Sequence, residues 1–274
     1  MDMTEVVSQM GILVFVMVVG FVCAKLGVTN SDSNKHLSNI VMNVLLVCTI
    51  LYSVMNTEME MDLADLGFVL LSFVAMFAVL SALGWVTAKV LRPGAERKGI
   101  TFFAVTFANT VFLGFPVIEA MYGADGIFIA TISNIPFNLM AYTVGYGAVR
   151  GGMKDLTLRK ALAPPLVASF VAVLIFLSGV EIPEFVADCF GSMSGATIPM
   201  SMLIVGTSLG SVSLKGAAEN WRVFVVVAIK LIVAPILAWL VTSLFVKDEM
   251  LLGVIVVLSC LLYTSPSPRD MRRS

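Results

Sequence analysis

The feature that most constrains this chain is a succession of apolar runs, most of them near the length that crosses a bilayer. They lie at Val6 to Ala24, Leu37 to Met55, Leu66 to Val90, Ile100 to Tyr122 and Gly126 to Val149, then at Ala161 to Val180, Phe185 to Leu209 and Trp221 to Val246. A shorter run, Met250 to Leu262, follows. About 20 apolar residues span the hydrocarbon core, and backbone in lipid must satisfy its own hydrogen bonds, so each run reads as a helix. Charged residues make up only 13% of the sequence, where a soluble domain carries about 25%. The fold class is therefore an all-α polytopic membrane protein, with eight full spans and part of a ninth.

Basic residues sort by side. With the N-terminus outside, the inward loops hold Lys25, Lys35, Lys89, Arg92, Arg97 and Lys98, and later Arg150, Lys154, Arg159, Lys160, Lys215 and Arg222, whereas the outward loops hold Lys247 alone. Positive charge marks the cytoplasmic side. The expected location is the plasma (inner) membrane, multi-pass, with the N-terminus outside. Asp2 and Glu5 precede the first run without a basic residue, which argues against a cleaved signal peptide. Cys23, Cys48, Cys189 and Cys260 have no metal-ligand or disulfide spacing and read as apolar packers; no metal and no cofactor is expected.

The fourth run carries Asn109-Thr110-Val111-Phe112-Leu113-Gly114-Phe115-Pro116 in its middle. Pro116 has no N–H and its ring clashes with the carbonyl four residues back, while Gly114 loosens the backbone, so the ladder is predicted to break at these two residues. Broken backbone at membrane depth persists only inside protein or against a wet cavity, where transporters hold their substrates. An ordinary proline kink is the competing reading. If Pro116 opens a second half-helix, the amides of Val117 and Ile118 face the break, and such an end attracts anions without a metal. Asn109 and Thr110 would add neutral donors and acceptors to a substrate or to the freed backbone.

Other polar residues lie inside spans. Asn134 and Asn138 share a helical face around Pro136 and either line a cavity or bond to neighbouring helices. Lys230, eight residues into its span from Arg222, either snorkels to the interface or faces a polar cavity, where it could neutralise a carboxylate. Glu119 is expected at the outer interface, and His36 in a solvated inward loop.

Five spans precede the basic connector 150–160. A duplication of an odd number of spans inverts its second copy, so the expected domains are a first repeat at 1–149 and an incomplete second repeat at 161–262. Leu26-Gly27-Val28 and Ser178-Gly179-Val180 end the first and sixth spans at an offset of 152 residues, which also pairs Val47 with Pro199. The polar, proline-rich stretch 263–274 reads as a non-native tail, with the remainder of the ninth span and a tenth expected beyond Leu262.

The stretch Asn109 to Pro116, followed by Gly123-Ala124-Asp125-Gly126 and by Gly145 near the end of the fifth span, resembles the auxin efflux carrier family of membrane transporters. Ala196 to Pro199, Gly206 and Lys230 to Pro235 are similar to later family segments. The resemblance implies ten helices in two inverted repeats of five, with the fourth and ninth broken and crossing near the midplane. It also implies a small organic anion as substrate, such as an auxin or a dicarboxylate like malate or malonate. The short connector is similar to the compact bacterial branch. A departure is Leu45-Leu46-Val47-Cys48, where the family often has a proline.

The reading that follows is a secondary transporter for a small organic anion, working by alternating access. Its candidate substrate-binding residues are Asn109, Thr110, Gly114, Pro116, Val117, Asn134, Asn138 and Lys230. The lipid bilayer is the environment, a proton or sodium ion is left open as a coupling partner, as is a second copy of the chain, and nucleic acid is excluded. The sequence contains no zinc-protease, serine-hydrolase or Walker signature, so an enzyme is not expected. A passive channel and a non-transporting scaffold or sensor are the rivals from other classes.

Overall fold

The structure is a computed structural model in which residues 3–57, 59–92, 95–145, 147–148, 164–180, 182–211 and 221–261 are described. The basic connector 150–160 and the stretch 263–274 lie outside them. Every described element is helical. In chain order they are α1 (Met3–Lys25), α2 (Ser31–Ile40), α3 (Leu46–Met55), α4 (Leu63–Val90), α5 (Ala95–Thr106) and α6 (Phe115–Met140). Then come α7 (Pro164–Ser178), α8 (Glu184–Ser194), α9 (Thr197–Ser211), α10 (Trp221–Ala228), α11 (Ala234–Thr242) and α12 (Glu249–Cys260).

Six helices among the described residues are long and apolar enough to cross a membrane: Val7–Lys25, Asp32–Met55, Leu63–Val90, Phe112–Gly145, Glu184–Ser211 and Trp221–Thr242. Pro164–Ser178 and Glu249–Cys260 are apolar but shorter. The chain is a polytopic membrane protein. The second span starts earlier than its apolar run, because Asn30 caps α2 by accepting from the Ser33 amide at 2.8 Å. His36 is consequently an exposed residue of α2 and not of a loop.

Among the described residues, four five-residue π-turns interrupt the spans, at Val41–Leu45, Thr110–Gly114, Ala141–Gly145 and Ile229–Val233. Two of them end two residues before a proline, Pro116 and Pro235. In the last, the amide of Ala234 reaches back to the carbonyl of Ile229. A wider turn directly upstream gives the ring room and tolerates its missing donor, so a proline here need not sever the helix. In α2–α3 the Leu46 amide closes the same kind of turn on Val41, and Val47 stands where a proline would follow.

Helix α6 is two helices joined at Gly123, whose φ of 63° and ψ of −150° belong to a region open essentially to glycine. The turn between the fourth and fifth spans therefore sits on this one residue. Beside it, the Thr57 hydroxyl donates to Asp125 at 2.7 Å.

The chain forms two compact units. The first comprises Met1–Ala64, Thr110–Ile132 and Pro164–Ser213, and the second Asp65–Asn109, Ser133–Ala163 and Leu214–Ser274. Each unit takes segments from both sides of the connector, so the units are not the halves of the sequence.

In the first unit α1 and α9 pack at small residues. A Cβ at Gly206 would collide with the Met17 carbonyl, and one at Gly210 would come within 3.0 Å of the Phe21 carbonyl. Close backbone approach of this kind replaces the missing hydrophobic drive between helices in lipid. Hydroxyls complete the joint: Thr207 donates to the Gly20 carbonyl at 3.3 Å, and Asn34 donates to Ser208 at 2.8 Å. A second hydroxyl group ties α3 to α8 and α9, with Thr49 and Thr197 2.7 Å apart and Ser194 donating to Thr49 at 3.2 Å.

In the second unit the rings of Phe77, Phe103, Phe107 and Phe137 form one cluster, with centroids 4.7 to 6.4 Å apart in neighbouring pairs. Such pairs add about 0.5–1.5 kcal/mol beyond burial and fix ring orientation. Gly145 brings the π-turn Ala141–Gly145 against Phe103 and Phe107.

Two predictions follow from this architecture. Gly206→Val should destabilise the first unit by about 2 kcal/mol through overpacking, read as a lowered midpoint in thermal unfolding of the detergent-solubilised protein. Val47→Pro should be tolerated to within about 1 kcal/mol, whereas Leu51→Pro in the regular part of α3 should cost about 3 kcal/mol or more. Equal costs at the two positions would remove the π-turn explanation.

Candidate functional site

Helix α5 ends at Thr106, and Phe107, Ala108 and Asn109 belong to no helix. The second half of the fourth span starts with the π-turn at Thr110 and runs on as α6 to the Gly123 turn. The fourth span is thus broken, but about two turns before the predicted place. Gly114, Pro116 and Val117 lie inside the second half-helix. The cause is the π-turn, which absorbs Pro116 and carries the helix upstream to Thr110. The amides at the start of that half-helix are accordingly those from Thr110 onward, and not those of Val117 and Ile118.

Polar residues flank this break in the sequence, one in each unit. On the second unit's side, Asn109 is buried. On the first unit's side, the Thr110 hydroxyl is buried with no hydrogen-bond partner among the described residues. Below it, Phe112 packs on Val41, Leu45 and Ile204 and anchors the π-turn of the second half-helix. A buried hydroxyl left unsatisfied costs about 1–3 kcal/mol, and native chains keep such groups where a ligand or water meets them.

The fifth span brings more of the same to the second unit. Asn134 and Asn138 are both buried, and the Asn138 amide donates to the Asn134 backbone carbonyl at 2.8 Å. This bond lies within one helix, four residues back, and not to a neighbouring helix. The Asn134 side-chain nitrogen is buried without a partner among the described residues. Phe137, between the two asparagines, stacks edge-on against Phe107 of the break at 5.8 Å between centroids. One turn earlier, on the first unit's side of the same helix, the Thr131 hydroxyl is likewise buried and unpartnered among the described residues.

Lys230 does not snorkel. It is 0% exposed, sits in the π-turn Ile229–Val233, and donates from Nζ to the Val105 carbonyl at 2.8 Å. Val105 belongs to the last four residues of α5, whose carbonyls the helix itself cannot satisfy. The break therefore ends in a charge-assisted hydrogen bond to a cation from the eighth span. Glu119 lies about one turn before Gly123, near the outer end of the second half-helix, and is partly buried.

Within the second unit Lys230 bonds to α5 at Val105, Asn138 bonds to Asn134, and Phe137 of the fifth span meets Phe107, two residues before Asn109. Thr110, Gly114, Pro116 and Val117 share the second half-helix in the first unit. Thr131 and the Val105 carbonyl were not among the residues that the sequence singled out. A threonine in an apolar run carries no distinguishing signal, and a backbone acceptor leaves none at all. No group of His, Cys, Asp or Glu able to hold a metal ion occurs among the described residues.

The profile of the family described as "Membrane transport protein" matches the chain in two stretches, residues 5–157 and 152–268. An uncharacterized transporter of Methanothermobacter thermautotrophicus is 28% identical over 249 residues, covering 87% of this chain and 78% of that protein. An uncharacterized transporter of Methanocaldococcus jannaschii is 26% identical over 213 residues, covering 74% of this chain and 69% of its own length. A broken span with buried polar groups at its break, set in a polytopic helical fold that this profile matches nearly end to end, makes the chain a member of the membrane transport protein family, that of the auxin efflux carriers.

Proposed function

We propose that this transporter moves a small organic anion, such as a dicarboxylate or an auxin-like carboxylate, by alternating access around the break in the fourth span. The observation that carries the reading is the break itself, three residues outside any helix between α5 and the Thr110 π-turn. The second half-helix starts there with the positive end of its dipole, which suits a carboxylate. Asn109, Thr110, Asn134 and Asn138 are the polar side chains proposed to meet the substrate; Gly114, Pro116 and Val117 shape the half-helix behind them. The chain passes between its compact units at Asn109–Thr110 and again at Ile132–Ser133, which makes the break a natural hinge for motion of one unit against the other.

Inverted repeats and an outside N-terminus belong to the same proposal. Several features recur near the offset of 152 residues. Gly27 and Gly179 both take positive φ, 74° and 60°, just after the first and sixth spans. The π-turn Val41–Leu45 of the second span answers the turn at Gly195–Ala196 in the seventh. Helices α5 and α12 are each 12 residues long, and α12 gives way to extended backbone at Leu261.

Tracer flux of malonate into vesicles tests the proposal. Asn109→Ala should reduce flux about tenfold or more while protein stays in the membrane, as befits loss of a hydrogen bond to a charged group. Thr110→Val should lower flux yet leave thermal stability unchanged or raised by about 1 kcal/mol, because it removes an unsatisfied buried hydroxyl. Saturable flux that neither substitution alters would contradict the assignment, and flux proportional to concentration would favour a pore.

A further inference from the structure

An ammonium buried among apolar helices is costly unless something fixed and negative faces it. Lys230 is 0% exposed, and among the described residues no carboxylate pairs with it. Its hydrogen-bond acceptor is the Val105 carbonyl, 2.8 Å away, in the last turn of α5. The π-turn that carries Lys230 also packs against α12, which ends at Cys260. The same charge thus stands beside the C-terminal ends of two helices.

Each helix C-terminus carries about half a negative charge on its unsatisfied carbonyls. Two such ends amount to about one negative charge, which one ammonium balances. In α12 the side chains supply further cover, with Ser259 donating to the Val256 carbonyl at 2.7 Å and Cys260 to that of Val257 at 3.2 Å. Among the described residues, the side chain that donates to the Val105 carbonyl is that of Lys230.

We propose that Lys230 is a positioning residue whose ammonium neutralises the ends of α5 and α12 together and so holds the fourth span open at Phe107–Asn109. It acts on the backbone and is not itself a ligand of the transported molecule. The π-turn serves this purpose: widening the eighth span at Ile229–Val233 shifts the register of Lys230 relative to the regular helix on either side. One consequence rests on the anion-transport reading. Without the cation, an anion entering at the break would meet the uncompensated ends of two helices.

Amide hydrogen exchange of the full chain in lipid nanodiscs tests the proposal without any substrate. Lys230→Met keeps the stem and removes the charge. It should speed exchange about tenfold or more in peptides covering 103–110 and 257–261, with α1 and α9 unchanged. Lys230→Arg should stay within about threefold of the parent, since it retains the charge and can donate to the same carbonyl. Unchanged exchange in Lys230→Met, equal acceleration throughout the chain, or equal loss in both variants would overturn the assignment. Should Lys230→Met fail to accumulate in the membrane, accumulation of Lys230→Arg supports the need for a cation, and its equal absence refutes it. Malonate flux in the same samples separates the two proposals: a local exchange effect without any saturable malonate flux leaves the role of Lys230 standing and removes the anion reading.

Discussion

The bond from Lys230 to the Val105 carbonyl is the interaction on which the rest of this structure depends. A helix that stops in the middle of a membrane leaves carbonyls that water cannot reach, and each must find a partner in the protein. A charge-assisted bond of 2.8 Å supplies one, worth about 1.5–3 kcal/mol net. It also settles what a cation is doing so deep in the apolar layer. The charge and the broken backbone, each costly alone, offset one another.

Around that bond the chain controls its irregularities by widening and not by snapping. The π-turns before Pro116 and Pro235 let each span keep its course past a residue that would otherwise cut the ladder. The real gap in the fourth span is short, Phe107 to Asn109, and it is packed: Phe107 is 0% exposed and sits in a cluster of four aromatic rings. In the second unit Asn134 keeps a buried amide nitrogen without a partner among the described residues, and in the first unit Thr110 and Thr131 keep buried hydroxyls in the same condition.

Much of this was legible in the sequence, and the exceptions have physical causes. The spans are readable because lipid leaves the backbone no alternative to helix; each predicted run is matched by helix within the described residues. The break was legible as to span but not as to position. Proline marks where a donor is missing, yet the neighbouring turn can widen to absorb it, and whether it does depends on packing that local sequence does not carry. Lys230 was conspicuous as a charge in a span, but its partner is a main-chain carbonyl 125 residues away, and any residue could have supplied that atom. Asn138 illustrates the same limit, since the acceptor it uses is the main-chain carbonyl of Asn134 in its own helix and not a polar side chain on another helix. The compact units mix segments from both sides of the connector because long-range helix pairing, such as α1 with α9, decides them.

The most direct test of the account is water accessibility along the fourth span. Single cysteines placed from 100 to 122, in a chain whose four native cysteines are replaced, can be labelled with a membrane-impermeant maleimide. The proposed alternating access predicts reactivity that rises at 109–110 as the site opens during transport, with the packed Phe107 staying silent, and falls on either side within a turn. Labelling confined to the two ends of the segment, with a silent centre from 104 to 118, would mean one continuous helix facing lipid and would contradict it.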